Sequence, residues 1–158
     1  MFEFSLVAGL LLGPAVGFAA TLAMDVVMTQ LPEGETPPRV AAGVLTDTPV
    51  ASAPERLATV VHYVAGAGSG LLLLWLLAAF DSVTGALGEG AVATAVTVGL
   101  AGSVMLVLMI GFFAIVPLPR ARGLRRQRLS RIRTDWSIMA TTYVIVASTL
   151  FLAAGAIV

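Results

Sequence analysis

The chain has one histidine, His62, at the head of the stretch "HYVAGAGSG" inside an otherwise apolar run. Imidazole is the side chain whose ordinary pKa lies nearest neutrality, so a histidine beside a carboxylate can gate or relay a proton. The carboxylate that could serve is Asp25, near the end of the first apolar run, with Arg39 of the following polar segment as a third member. The same residues also have a structural role open to them: an interhelical polar clamp, or a histidine that merely reaches headgroups and water. One histidine and scattered carboxylates are too few ligands for a metal site or a bis-histidine haem, so no metal and no cofactor is expected. The absence of cysteine excludes disulfides, Cys-ligated zinc, iron–sulfur clusters and thiol catalysis. No GxSxG, HExxH or Walker pattern occurs, and nothing in the residues supports an enzymatic activity.

The elements that must hold His62 and Asp25 belong in lipid. The 158 residues are 58% hydrophobic and 11% charged, with a mean hydropathy of +0.98, far from the balance of a soluble domain. Four runs reach the length of about 20 apolar residues that a hydrocarbon core of about 30 Å demands: roughly 4–30, 57–80, 90–116 and 136–158. In lipid each satisfies its own backbone only as a helix. The expected fold is therefore all-α, an integral membrane four-helix bundle forming one domain over 1–158, with a short interfacial helix in the first loop. The start "MFEFSLVAG" has Glu3 and no basic residue, and its run exceeds a signal-peptide core, which predicts a retained first helix.

Charge orients the bundle. All nine basic residues are arginine, and all fall in the first and third loops: Arg39 and Arg56, then Arg120, Arg122, Arg125, Arg126, Arg128, Arg131 and Arg133. The positive-inside rule puts loops 31–56 and 117–135 in the cytoplasm, with both termini outside and Glu3, Asp81 and Glu89 facing outward. The seven arginines of the third loop are expected to anchor topology on anionic lipid headgroups. No aromatic interleaving or known module among them argues for nucleic acid.

The loops also carry end signals. Thr36 can cap a short surface helix, with Pro37 in its first turn and Val40, Ala41, Val44 and Leu45 on one face. "SAPE" at 52–55 has capping-box spacing and predicts that the second span begins near Ala53. Pro117 and Pro119 stop the third helix, and Thr134 or Asp135 is expected to cap the fourth.

Small residues set the packing. Gly9, Gly13, Gly17, Thr21 and Asp25 recur every fourth position in the first helix, and His62, Gly66 and Gly70 do so in the second. Such ridges let helix backbones approach closely in lipid, where van der Waals contact drives association. Consecutive spans are antiparallel, and Asp25 and His62 each lie roughly 7 to 8 Å inside the same end of their helices, so the facing ridges bring them to one level. Thr94, Thr97, Ser103, Ser137, Thr141, Thr142 and Ser148 are expected to return hydrogen bonds to backbone or a neighbouring helix. Trp75, Trp136, Tyr63 and Tyr143 are expected as interface anchors.

The segments "GFAATLAMD", "PPRVAAGVL" and "HYVAGAGSG", in that order, resemble the YagU-like group of small bacterial and archaeal membrane proteins of unknown function. The resemblance covers about the first 70 residues and singles out Thr21, Asp25, Arg39, His62, Gly66 and Gly70, without implying an established chemistry. The first function expected is a structural or interaction component that packs through its Gly-rich faces, as a homo-oligomer or within a larger membrane complex. The alternative is a proton-linked transporter or channel component using Asp25 and His62, against which the charge-poor midplane counts. A membrane enzyme acting on lipid has only the Asp, His and Arg near the cytoplasmic interface in its favour.

Overall fold

The structure is a computed structural model that describes residues 6–88 and 90–157, so Glu3 and Glu89, expected to face outward, lie outside it. Among the described residues six α-helices follow in chain order: α1 (Leu6–Met28), α2 (Thr36–Thr46), α3 (Glu55–Thr84), α4 (Ala91–Ile115), α5 (Pro117–Arg120) and α6 (Leu129–Ile157). Four of the described stretches are long and apolar enough to cross a membrane: Val7–Met28, Glu55–Thr84, Ala91–Arg120 and Arg126–Gly155. They pack as a ring in which α1 touches α3 and α6, and α4 touches the same two helices. The core inside the ring is built from all four, with Ala20, Leu73, Met105, Tyr143 and Phe151 almost wholly covered. Outward faces carry Leu11, Val26, Val64, Trp75, Val107, Phe112 and Ile145, an apolar exterior on every long helix.

Several helix ends differ from their sequence signals, each for a local reason. Helix α6 starts at Leu129 rather than at Trp136, and Thr134 and Asp135 sit inside it instead of capping it. Ile132 is the cause: it is fully buried against Val40, Phe113 and Leu118, and that contact carries the helix out past the apolar span. Helix α3 begins at Glu55 because Ala53 and Pro54 are extended (ψ 138° and 118°), and it has no side-chain cap because the cap position is Pro54, whose ring offers no acceptor. Proline disfavours helical backbone in the residue before it. Ser52 donates instead to Pro49 O at 3.1 Å, so the capping box does not form. In α2 the cap position is Glu35, and Thr36 is the first helical residue. Its buried residues are Thr36, Pro37, Val40, Ala42 and Gly43, whereas Leu45 is exposed. The stripe predicted for α2 is therefore turned by about one residue.

Between α1 and α3 the backbones meet through glycine. A Cβ built on Gly17 would strike the carbonyl oxygen of Gly66 and come within 2.9 Å of Gly70 Cα, and one on Gly13 would lie 2.7 Å from Leu71 Cα. Gly66 has the hydroxyl of Thr21 where its own Cβ would stand. That hydroxyl donates back to Gly17 O at 2.8 Å, so a buried polar group is satisfied within α1 while its bulk fills the notch of α3. Gly9 has ordinary contact, with Leu74 at 3.4 Å.

Candidate functional site

His62 sits two turns into α3 on the side facing α1. Its Nε2 lies 2.7 Å from Oδ1 of Asp25, and the Tyr63 hydroxyl donates to Oδ2 of the same carboxylate at 2.6 Å. Consecutive residues of α3 thus grip both oxygens of one carboxylate on α1. An ionised carboxylate would accept from both partners, with the shared hydrogen then on His62 Nε2. The His62 side chain is 8% exposed and that of Asp25 24%, so the cluster is enclosed without being sealed. The ring of Phe18 packs on Tyr63 at 5.2 Å between centroids and covers its apolar side.

Arg39 is not the third member. Its Nη2 pairs with Glu35 Oε2 at 3.1 Å, one helical turn away on the same segment, and Tyr63 holds the place beside Asp25 expected for it. Arg39, Glu35, Asp25, Glu55 and His62 do share the walls of one hollow of about 180 Å³. The sequence alone suggests an interface anchor at Tyr63, and a tyrosine adjacent to a histidine four residues ahead of a glycine is the signal that places it with the pair.

A second, larger cleft of about 400 Å³ opens on the other side of His62. It lies between α3 and α4, where exposed Ala65, Leu72, Leu108 and Phe112 form its lips. Tyr143, Met105 and Gly66 form its buried floor, and Pro37, Pro38 and Ala41 of α2 close the end nearest the loops. Tyr143 and Trp136, expected as interface anchors, turn their polar groups to neighbouring helices. Tyr143 is fully buried and donates to Gly66 O at 2.6 Å, a carbonyl left open by the missing side chain, and Trp136 Nε1 donates to Met109 O at 3.1 Å. Those bonds leave His62 and Ser69 as the polar groups that the cleft wall offers. His62 and Pro38 alone belong to both hollows.

The two arginine-bearing loops are tied together below the cleft. Arg128 grips Glu33 with two bonds, Nε to Oε1 at 2.7 Å and Nη2 to Oε2 at 2.6 Å. Glu33 also accepts from Thr36 at 2.6 Å, and its backbone N–H donates to Asp135 Oδ2 at 2.9 Å. The hydrogen bonds from Arg128 hold the Glu33 carboxyl below its ordinary value; burial opposes this, while Thr36 and the charges of Arg128 and Arg131 reinforce it. Arg122 pairs with Asp47 at 2.9 Å, and its carbonyl accepts from Val50 N at 3.0 Å. Arg122 and Arg128, expected at lipid headgroups, are thus engaged by carboxylates of the first loop, and Arg120 donates to Val116 O. Arg125, Arg126, Arg131 and Arg133 are exposed. Among the described residues no three His, Asp or Glu side chains come together as a metal group. No family model matches the chain, and no curated protein or solved structure matches it.

Proposed function

We propose that the chain is a multi-pass integral membrane protein, with loops 31–56 and 117–135 in the cytoplasm and both termini outside, that acts as an interaction component of the membrane. The bilayer reading is supported by four apolar helices with apolar outward faces, and the orientation by arginines confined to the stretches 39–56 and 120–133 that join the long helices at one end. The observation that carries the interaction reading is the division of small residues. Gly13, Gly17, Gly66 and Gly70 are spent inside the bundle, whereas Ala95, Gly99 and Ser103 line an exposed face of α4 at four-residue spacing, with open space beyond Gly99. In lipid such a face gains contact energy by seating another helix, from a second copy or a larger complex. Cysteine placed at position 99 of this cysteine-free chain tests it: disulfide-linked dimers, or adducts to another membrane protein, are expected in native membranes. Monomer alone after oxidation sinks the reading.

A second reading is favoured by the double grip on Asp25. A carboxylate inside a span, held by an imidazole and a phenol, is a group that can exchange a proton with its partners, as a proton-linked transporter or channel component requires. Proton flux in proteoliposomes, lost in Asp25→Asn, tests it; equal flux in the variant rejects it. Kinship with the YagU-like group is likewise proposed on the residues that carry the resemblance. Thr21, Asp25, His62, Gly66 and Gly70 all meet along the α1–α3 seam, and Arg39 stands apart on Glu35.

A further inference from the structure

We propose that the cleft between α3 and α4 is a binding site for a lipophilic aromatic cation. Its volume of about 400 Å³ falls within the range of about 300–1,000 Å³ typical of small-ligand sites. Its wall brings together Phe112, Phe113 and Trp136 with Met105 and Met109, although aromatic residues make up only 7% of the chain. Ring faces attract cations, and unbranched methionines re-pack around flat ligands of differing outline. An apolar tail alone would find such walls adequate, so the sign of the charge has to decide the class.

The adjoining hollow supplies that sign. Asp25, Glu35 and Glu55 line it against a single guanidinium, Arg39, which already pairs with Glu35. Three carboxylates against one guanidinium on the wall of a hollow that adjoins an apolar cleft favour a cation there over the carboxylate or phosphate head of an anionic amphiphile. His62, more than nine-tenths covered, stands in the wall between the two spaces. In the neutral tautomer that carries its hydrogen on Nε2, the other ring nitrogen is an acceptor, suited to an N–H of the ligand and not to an anionic oxygen. The ligand therefore combines flat rings for the cleft with a positive charge, and preferably an N–H, at the His62 end.

The probe is ethidium, an aromatic cation bearing amino groups, with neutral phenanthridine as its uncharged counterpart. Binding to the full chain in detergent, followed by fluorescence anisotropy, is expected to saturate, to be displaced by tetraphenylphosphonium and to resist phenanthridine. Ser69→Phe, which fills the cleft, and the double variant Glu35→Gln/Glu55→Gln, which removes charge from the hollow, should each weaken binding about tenfold or more. Circular dichroism and melting confirm that the variants fold, and Ala65→Phe at the cleft lip replaces Ser69→Phe should that one not fold. Unchanged ethidium affinity in the cleft-filling variant, displacement by phenanthridine as effective as by tetraphenylphosphonium, or a co-purifying phospholipid that ethidium does not displace would each overturn the proposal. Binding in detergent requires neither a partner helix at Gly99 nor proton flux, so either reading above can fail without it.

Discussion

Ser148 has a buried hydroxyl with no hydrogen-bond partner among the described residues, 3.8 Å from where a Cβ on Gly102 would stand. An unsatisfied buried hydroxyl costs about 1–3 kcal/mol, so Ser148→Ala should leave the melting temperature unchanged or raise it. Tyr143→Phe is the contrasting case. It removes the donor to Gly66 O and leaves that carbonyl without its interhelical bond, for an expected loss of about 0.5–1.5 kcal/mol. Thermal melting of both variants in one detergent checks the pair of signs; stabilisation by Tyr143→Phe would mean that the bond contributes nothing. The same two residues show where sequence stops being informative. Tyrosine pairs an apolar ring with a polar tip, and its pattern is the same at a membrane interface and deep in a bundle, wherever a carbonyl is left open. Asp25 and His62 were easier to relate, because depth along antiparallel helices is counted directly from the chain, and they stand 2.7 Å apart.

At the level of elements, the α1–α3 seam depends on what Gly66 lacks. Gly66→Ala would put a methyl into the Thr21 hydroxyl and 3.1 Å from Thr21 Cβ, an overpacking expected to cost about 1–3 kcal/mol. Thr21→Ala removes the hydroxyl, so the double variant should recover part of that loss. A melting cycle over the four proteins reads the coupling directly, and strict additivity would show that the two residues do not meet. The spacing of four that marks these residues is written in the chain, whereas helix ends were less legible. Ile132 stands between Arg131 and Arg133, seven positions before Met139 and three before Asp135. That spacing is helical, but an arginine-rich stretch reads as loop until something is seen to bury the isoleucine. Here Val40 of α2 and Phe113 of α4 do so, which is tertiary information.

On the scale of the whole molecule, the Glu33–Arg128 pair joins the segment entering α2 to the start of α6 and so keeps α2 beneath the cleft. Arg128 is half exposed while Glu33 is 7% exposed, so the carboxylate bears most of the desolvation. Glu33 therefore depends on its partner more than the arginine does. Because its pKa in the folded protein is held below the ordinary 4.5, the pair contributes stability that is fully present above that value. The contribution is lost as pH falls through the lower, folded value. Glu33→Gln keeps the shape of the side chain and removes the charge, and should lower stability at neutral pH by about 1–3 kcal/mol, the range of a charge-assisted bond. The melting temperatures of wild type and Glu33→Gln should then differ at pH 7, draw together as pH falls below 4.5 and converge only beneath the lowered folded value, where the wild-type carboxyl is neutral as well. A difference that persists undiminished at low pH would show that the charge of Glu33 contributes nothing. The latch between the two loops would then rest on Arg122, with its bonds to Asp47 and Val50.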